Sequence, residues 1–307
     1  MKTLEPKERI LFHLQEFLGR LAIFFVAPLY FIIIWCLGYR IRDLREFRAE
    51  CRRAFRDHEG PWLMCPNHLT MIDSVILTYA MTSIGTQIAS YRLLPWNLPE
   101  RDNFQRSIAL SILCYLTKCI PVNRGGDRDE LKKVLDKCTY LLERGQNLMI
   151  FPEGGRSRTG RVDTENYSYG VGRFLTEFEN CRVMCLYLRG DEQAAYGTMP
   201  KPWQRFTVGV EVFEPEKPAV SGLRAQRDYA GQIIRRLAGM EEDYFASGGQ
   251  RHSRSYGSGE RREEPGYALS QPRLYQQRAA TDRGRSGGRY RALESLGGQG
   301  SGLQVRE

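Results

Sequence analysis

The pattern of hydrophobic and polar positions divides the chain into an apolar N-terminal segment, an alternating central part and a polar C-terminal tail. Residues 21–39 hold no charged side chain over 19 positions, about the length of helix needed to cross a hydrocarbon core. Pro28 lies inside this segment and removes one helical hydrogen bond. The pattern predicts a kinked transmembrane helix or two shorter helices inserted into one leaflet, and Pro28 with the charged flanks favours the second arrangement. The remaining alternative is a buried helix of a soluble protein, which would need a very large core.

The next segment, residues 40–56, combines an apolar stripe with many cations. Seven arginines stand against three acids, and the apolar residues that recur at helical spacing are Ile41, Leu44, Phe47, Cys51 and Phe55. A basic amphipathic helix of this kind is typical of one lying on an anionic lipid surface, although a solvated helix with internal ion pairs has the same composition. Its local charge of +4, against +1 for residues 1–20, predicts that the following domain lies on the cytoplasmic side.

The central part, from residue 60 to about 245, alternates between short apolar runs and helical patterns. The predicted strands are 61–65, 119–122, 147–151, 182–188 and 206–213, and the predicted helices are 74–85, 129–145 and 223–239. Strands that alternate with helices are typical of a largely parallel sheet covered on both faces. The expected fold class is therefore α/β, with a mixed, largely parallel sheet flanked by helices.

The C-terminal part is rich in Gly, Ser, Arg and Gln and poor in apolar residues, so it cannot bury enough surface to offset the cost of ordering. We therefore expect membrane-anchoring helices in 1–58, a folded domain in 59–246 and a disordered tail in 247–307. The tail mixes Arg, Gly and Tyr, as some RNA-binding segments do. A solvated tail or a tether to lipid is the favoured interpretation, and a nucleic-acid partner is not expected.

Composition narrows the class of partner. The 307 residues carry 45 Lys and Arg against 36 Asp and Glu, and the net charge of +9 favours phosphate-bearing substrates, an acidic carrier protein or an anionic membrane face. The eight cysteines form no Cys-x-x-Cys pair and indicate reduced thiols in a protein that faces the cytoplasm. The four histidines are scattered, so no metal site is expected.

Three of the predicted strands are followed by polar residues suited to chemistry. Asn67 and His68 come directly after the first strand, and Asp73 follows five residues after His68, where the next helix begins. In an open α/β sheet the ligand site lies at the carboxyl ends of the strands, so the imidazole is expected at that edge. A histidine whose ring is held by a carboxylate is a general base ready to act through its other nitrogen.

The other two strands end in residues suited to binding phosphate. The run 120–126, IPVNRGG, ends with an arginine and two glycines, and 150–158, IFPEGGRSR, supplies a carboxylate, two glycines and two arginines. Glycines let a ligand approach the backbone, and arginines bind phosphate with directed donors. The candidate binding residues are Asn67, Arg124, Glu153, Gly154, Gly155 and Arg156.

These motifs resemble those of a known family. NHLTMID is similar to the NHxxxxD motif of the glycerophospholipid acyltransferases, whose best-known bacterial members acylate 1-acylglycerol 3-phosphate, and IPVNR and FPEGGRSR resemble the family's second and third motifs. The three occur in the family's order over residues 65–160, and the resembling domain covers roughly 60–215. The resemblance implies the glycerolipid acyltransferase fold and a membrane-bound O-acyltransferase whose catalytic domain lies on the cytoplasmic face.

The resemblance also implies a role for each matching residue. His68 would deprotonate the acceptor hydroxyl, and Asp73 would fix the tautomer of His68 and stabilise the imidazolium. Arg124, Glu153 and Gly154 would hold the acceptor, with Arg124 on its phosphate. The donor would be a fatty acyl thioester on coenzyme A or acyl carrier protein, used as a co-substrate, with no further cofactor and no covalent enzyme intermediate.

Three positions depart from the family's pattern. Gly155 replaces a common Thr, Lys118 a common Gly and Cys185 a common Pro. None touches the His–Asp pair, and all three are expected where the acceptor or the acyl chain binds. Lysophosphatidic acid, converted to phosphatidic acid, is the default acceptor. A different lyso-lipid acceptor and a non-catalytic lipid-binding homologue are the alternatives.

Overall fold

A computed structural model of the protein describes residues 4–104, 107–123, 126–193, 197 and 199–248. The helices in these ranges are α1 (Pro6–Cys36), α2 (Leu44–Asp57), α3 (Asp73–Met81), α4 (Ile84–Ala89), α5 (Arg101–Phe104), α6 (Ile108–Leu116), α7 (Arg128–Glu143), α8 (Gly170–Glu177) and α9 (Leu223–Ala246). The strands are β1 (Arg40–Ile41), β2 (Trp62–Pro66), β3 (Trp96–Asn97), β4 (Leu148–Met149), β5 (Arg182–Gly190) and β6 (Arg205–Phe213), and a 3₁₀ turn, Tyr91–Leu93, precedes β3. Residues 249–307 of the predicted tail lie outside the described residues.

The strands form one sheet in the order β1-β6-β5-β2-β4-β3. Neighbouring strands run parallel except for β5 and β6, which are antiparallel. Two isolated parallel bridges, Asn97 with Cys119 and Glu100 with Val122, continue the pairing beyond β3, where the sequence predicts a strand over 119–122. The prediction of a mixed, largely parallel sheet flanked by helices is confirmed.

Each face of the sheet carries its own apolar core. In β2, Leu63 and Cys65 pack with α7, α8 and α9, whereas Trp62 and Met64 pack with α2 and α3. The alternation follows from strand geometry, because successive side chains leave opposite faces. Since helices cover both faces, β2 is buried at every position, and this strand meets a substrate only where it ends.

Helix α2 packs its apolar stripe against the sheet, in the interior of the domain. Phe47 and Cys51, which belong to the apolar stripe expected on a lipid surface, are fully buried in the core beside Trp62. The stripe therefore cannot contact lipid, and the expectation that it does is not met. The arginines on its exposed side are Arg45, Arg52, Arg53 and Arg56. Amphipathic periodicity specifies an apolar face but not what covers it, so the period alone does not distinguish a lipid surface from the protein core.

The N-terminal apolar segment is one long helix, α1, which continues through Pro28, so the predicted division into two helices is wrong. One face of α1 is buried from Phe12 to Ile34, along most of its length. At Gly19 on this face, an added β-carbon would lie 2.1 Å from the hydroxyl of Tyr91, so a larger residue would clash. Helix α1 therefore lies along the domain surface.

Some other boundaries differ from the sequence expectation. The helix predicted over 74–85 ends at Met81, and α4 then begins, so Gly85 lies inside a helix and does not end one. Helix α9 continues to Ala246, beyond its predicted end at residue 239. Helix α7 ends close to its predicted end, because Gly145 adopts a left-handed conformation with φ of +68°.

Candidate active site

Two of the sequence motifs meet at the carboxyl ends of the neighbouring parallel strands β2 and β4. Asn67 follows β2 and is buried, and its backbone N–H donates to the carbonyl of Leu186 at 3.2 Å. Its side chain accepts from the backbone N–H of Leu188 at 2.8 Å and donates to the carbonyl of Leu188 at 3.1 Å. Asn67 thus ties β2 to β5 and fixes where the chain leaves the sheet. This geometry gives Asn67 a positioning role, and the substrate contact expected from the sequence stays a prediction.

His68 and Asp73 form the pair that their spacing predicts. Asp73 is the first residue of α3, and its Oδ2 accepts from His68 Nδ1 at 3.1 Å. The same oxygen accepts from the backbone N–H groups of Leu69 at 2.6 Å and Thr70 at 2.8 Å, so the carboxylate is fixed by the turn that leads into α3. Because an ionised carboxylate only accepts, Nδ1 carries the proton and Nε2 has a free lone pair. The His68 side chain keeps 14% of its surface exposed, so this lone pair is able to act as a base.

Thr70 is a buried positioning residue that the motif alone does not single out. Its hydroxyl donates to Asp73 Oδ1, and its backbone N–H donates to Oδ2, so one residue engages both oxygens. These bonds fix the orientation of the carboxylate toward the ring of His68. The sequence signal was limited to a hydroxyl residue close to His68.

Substitution of Thr70 tests this role. We expect Thr70→Val to lower kcat about 10- to 100-fold with little change in KM, because one charge-assisted hydrogen bond to Asp73 is worth about 1.5–3 kcal/mol. Thr70→Ser keeps the hydroxyl and should restore most of the activity. Steady-state kinetics on both variants provide the comparison, and equal activity of the Val and Ser variants would show that the hydroxyl is dispensable.

Glu153 reaches the His68 loop from the end of β4. Its Oε1 accepts from the backbone N–H of His68 at 2.8 Å, while Oε2 is buried without a hydrogen-bond partner of its own among the residues that the structure describes. Burial raises the pKa of Glu153 to about 7, and the backbone N–H groups of His68 and Asp163 oppose that rise. The carboxyl group thus braces the catalytic loop and retains an oxygen able to bind a substrate hydroxyl.

The rest of the third motif wraps around His68. Gly154 has φ of +69°, which favours glycine, and an added β-carbon at Gly155 would meet nothing within 4 Å. The backbone N–H of Ser157 donates to the carbonyl of His68 at 2.9 Å. Arg156 donates from Nη1 to the carbonyl of Gly197 at 2.9 Å. Glu153, Gly154 and Arg156 are therefore brought to the same loop cluster as the His–Asp pair, whereas Arg124 lies outside the described residues.

Phe151 is a further site residue that the sequence did not single out. Its ring lies 4.1 Å from the ring of His68 between centroids, at an interplanar angle of 32°. An aromatic ring packed against the imidazole restricts its rotation and holds Nε2 in one direction. The only sequence signal was an aromatic residue between the β4 segment and Pro152.

Two of the departures from the family's pattern lie away from this edge of the sheet. Lys118 is buried with φ of +57°, and its Nζ donates to the carbonyls of Tyr91 and Leu94 and to Gln146 Oε1 at 2.9–3.1 Å. Gln146 precedes β4, so this cluster is at the amino end of the strand, and burial lowers the pKa of Lys118 to about 7. Cys185 is buried in the sheet core. Of the three departures, Gly155 alone lies in the loop cluster around His68.

An exposed apolar surface adjoins the domain on α1 and α6. Helix α1 is long and apolar enough to cross a membrane, and it packs against α6, where Gln15 Nε2 donates to the carbonyls of Tyr115 at 2.9 Å and Cys119 at 3.1 Å. The exposed apolar residues on α1 are Ile10, Leu11, Leu14, Phe17, Leu18, Leu21, Phe24, Phe25, Leu29, Ile32, Ile33 and Trp35, and those on α6 are Ile108, Leu110, Ile112 and Tyr115. Contiguous apolar surface of this kind marks a site of interaction with a membrane or a protein.

Comparison with known proteins gives a family for the part of the chain that carries this site. Residues 41–184 match the family model described as Acyltransferase, a range that includes His68, Asp73 and Glu153. No curated protein matches the chain. The matched range begins at the second residue of β1 and ends inside β5, so it contains the motifs and the strands that position them. Over residues 41–184 the chain is thus similar to the acyltransferase family, and this match indicates acyl transfer to a lipid.

Proposed function

We propose that this protein is a membrane-bound O-acyltransferase that moves a fatty acyl group from a thioester to a lipid hydroxyl, with His68 as the general base. The observation that carries the proposal is the contact between His68 Nδ1 and Asp73 Oδ2 at 3.1 Å, which leaves Nε2 unprotonated at an accessible strand end. The match of residues 41–184 to the acyltransferase family supports acyl transfer as the reaction class. The acceptor and the donor are the parts of the proposal that go beyond the family.

The reaction needs one group, His68, to carry a proton from the acceptor hydroxyl to the leaving sulfur. His68 Nε2 takes the proton of the acceptor hydroxyl as its oxygen attacks the thioester carbonyl, and the C–O bond forms. The tetrahedral intermediate then expels the thiolate, and the proton on Nε2 passes to the sulfur. Asp73 stabilises the transient imidazolium and keeps Nδ1 protonated throughout. Since a thiol with a pKa of about 8.5 is a good leaving group, activation of the hydroxyl is the demanding step.

The proposed acceptor is lysophosphatidic acid, which would become phosphatidic acid. Arg124 is proposed to bind its phosphate, with Glu153, Gly154 and Arg156 around the glycerol. The Oε2 of Glu153, unpartnered among the described residues, and the free space beside Gly155 support this assignment. A different lyso-lipid is the alternative acceptor, because the free space beside Gly155 leaves room for a larger headgroup.

Substitution of Gly155 tests how the acceptor is selected. We expect Gly155→Thr to change KM for the acceptor several-fold and leave kcat nearly unchanged, because its side chain would enter free space beside the base without touching it. Stability should stay within about 0.5 kcal/mol of the original protein, as for other substitutions that meet no neighbour. Gly155→Ala is the matched control and should give a smaller change. Identical KM values for all three proteins across a panel of lyso-lipids would contradict the assignment.

For the membrane, we propose that α1 lies in one leaflet with the catalytic domain on the cytoplasmic face. The buried face of α1 supports this arrangement, since a helix that packs on a polar domain along most of its length cannot also be surrounded by lipid. The apolar outer face of α1 would contact the acyl chains, with the exposed arginines of α2 available to lipid phosphates. The proposed donor is coenzyme A or acyl carrier protein, used as a co-substrate.

Thiol release tests the proposed direct transfer. Purified protein in detergent is given a long-chain acyl thioester with and without lysophosphatidic acid, and free thiol is measured over time. We expect continuous thiol release that depends on the acceptor and no initial burst without it, because the acyl group never resides on the enzyme. A stoichiometric burst in the absence of acceptor would indicate an acyl-enzyme and overturn the proposed direct transfer.

A further inference from the structure

Two tryptophans expose most of their surface, although this side chain is rarely left in water. Trp35, in the last turn of α1, is 78% exposed, and Trp203, just before β6, is 72% exposed. The other two tryptophans, Trp62 and Trp96, are buried. The two exposed tryptophans therefore suit a binding partner that offers apolar surface to the ring and a polar acceptor to its N–H.

Both exposed tryptophans lie toward the edge of the sheet that carries His68. Strand β6 is antiparallel to β5 and starts opposite its carboxyl end, where Gly190 pairs with Phe206. Strand β1 runs parallel to β6, and Arg40 pairs with Arg205, so the end of α1 is beside the start of β6. Because β5 is parallel to β2, this is the same edge at which β2 delivers His68.

The backbone holds Trp203 firmly. Its N–H donates to the carbonyl of Leu37 at 2.8 Å, and the hydroxyl of Tyr39 donates to the carbonyl of Pro200 at 2.9 Å. The indole lies so close to Gly38 that an added β-carbon there would be 2.2 Å from the ring. Trp203 itself has φ of +64°, a conformation that is unusual for a bulky residue. A side chain that is both fixed and exposed is prepared for an interaction and is not a loose surface residue.

We infer that Trp35 and Trp203 form an interfacial anchor that seats the catalytic edge at the boundary between lipid headgroups and acyl chains. Tryptophan concentrates at this boundary, because its ring is apolar and its N–H needs a polar partner. Trp35 continues the exposed apolar face of α1. Arg40 follows α1 and is exposed, and Lys201, in an exposed ion pair with Glu192 at 3.3 Å, precedes Trp203 by two residues, so both cations suit lipid phosphates. The inference deepens the proposed function, because it gives the membrane-embedded acceptor a place to enter.

The segment between β5 and β6 links this anchor to the catalytic loop. Gly197 in this segment donates its N–H to the carbonyl of Leu69 at 3.0 Å and accepts from Arg156 at 2.9 Å. Trp203, six residues further on, holds the end of α1. A lipid whose headgroup lies at the level of the two indoles is thus adjacent to the loops that carry His68 and Arg156.

Fluorescence quenching by lipid tests the anchor directly. The protein is mixed with phosphatidylcholine–phosphatidylglycerol vesicles whose acyl chains carry bromine near the headgroup, and tryptophan emission is compared with unbrominated vesicles. We expect part of the emission to be quenched, and Trp35→Phe and Trp203→Phe each to remove a share of the quenching. The double variant should retain only unquenched emission from Trp62 and Trp96, which are buried. Equal quenching in the double variant would overturn the proposal.

Vesicle sedimentation measures the contribution of Trp203 to binding. Trp203→Gly removes the ring and suits the left-handed backbone, and we expect membrane partitioning to weaken about tenfold, or about 1.4 kcal/mol. The control is Leu223→Ala: Leu223 is also highly exposed, but it follows β6 at the opposite edge, and its loss should leave partitioning unchanged. Equal partitioning of Trp203→Gly and the original protein would contradict the anchor and favour a protein partner for this surface.

The proposed reaction and the proposed anchor can be contradicted independently of each other. Neither vesicle assay requires turnover, so quenching that follows the tryptophans in a protein without acyltransferase activity would leave the anchor standing and remove the proposed reaction. Conversely, an active enzyme whose quenching ignores Trp35 and Trp203 would retain the reaction and lose the anchor. For an active enzyme, Trp203→Gly should raise KM for an acceptor embedded in vesicles and leave KM unchanged for a short-chain acceptor dissolved as monomers.

Discussion

Replacing His68 with alanine is expected to lower acyl transfer about 10²–10⁴-fold, the contribution that a positioned general base usually makes. The change removes the sole candidate base on the loop after β2 and leaves Asp73 bound to the backbone N–H groups of Leu69 and Thr70. The loop should keep its shape, because the bonds of His68 to Glu153 and Ser157 use only the backbone of residue 68. Measurement of kcat together with thermal unfolding separates lost chemistry from lost structure.

The matched control for this prediction is His13→Ala. His13 is exposed on α1 and lies far along the chain from the motifs, so its loss should leave kcat within experimental error. Retained turnover in His68→Ala, with His13→Ala also active, would contradict the assignment of His68 as the base. An unfolded His68 variant would be replaced by His68→Gln, which keeps a polar side chain of similar length.

Replacing Asp73 with asparagine is expected to lower kcat by about 10²–10⁴-fold while His68 remains in place. Asp73 accepts hydrogen bonds from His68, Leu69 and Thr70, and an amide presents only one oxygen to these donors. The amide is also able to donate to Nδ1, which would move the ring proton to Nε2 and leave no base facing the acceptor, as in a Ser-His-Asp triad that loses its carboxylate. Unfolding free energy should also fall by about 1–3 kcal/mol, because a buried donor loses its partner.

Nitrogen NMR of labelled histidine provides a readout that a merely structural role would not change. We expect the signal of His68 to report a proton on Nδ1 in the original protein and on Nε2 in Asp73→Asn. Asp57→Asn is the control. Asp57 is exposed at the end of α2, and its ion pair with Arg53, at 3.9 Å, is a surface pair that contributes little to stability. An unchanged tautomer with normal kcat in Asp73→Asn would exclude Asp73 as the orienting group.

The sequence was sufficient for the principal strands β2, β4, β5 and β6, for helices α3, α7 and α9, and for the core of the site. Strands bounded by turn residues predicted the sheet. The spacing of five positions from His68 to Asp73 predicted their contact, because the interaction is formed within one loop and the first turn of α3. Local interactions of this kind depend little on the rest of the fold. The same locality explains why the end of α7 at Gly145 was predicted closely.

The sequence did not predict the interactions between segments that are distant in the chain. The stripe of α2 has the same period whether lipid or the sheet covers it, and the buried positions of Phe47 and Cys51 depend on β2, β5 and β6. Lys118 was singled out only as a departure from the family's pattern, and its three acceptors come from Tyr91, Leu94 and Gln146. Residues so far apart in the chain meet only through the tertiary fold.

In the loop after β2, too, the sequence predicted the local contact but not the contacts made by other strands. The motif identified His68 and Asp73, but the packing of Phe151 on the imidazole requires β4 to lie beside β2. The backbone bond from His68 to Glu153 has the same origin, since the two residues are separated by most of the domain's first half. A sequence motif therefore identifies the groups that react, whereas the sheet supplies the groups that hold them.

The most direct test of the central claim is a search for the acylated product by mass spectrometry. Detergent-solubilised protein and its His68→Ala variant are given a long-chain acyl thioester, on coenzyme A and separately on acyl carrier protein, together with a panel of lyso-lipids. We expect one new diacyl lipid, phosphatidic acid if the default acceptor is correct, formed by the original protein and absent with the variant. No new acyl lipid with either donor and any acceptor, from a protein that remains folded, would contradict the claim.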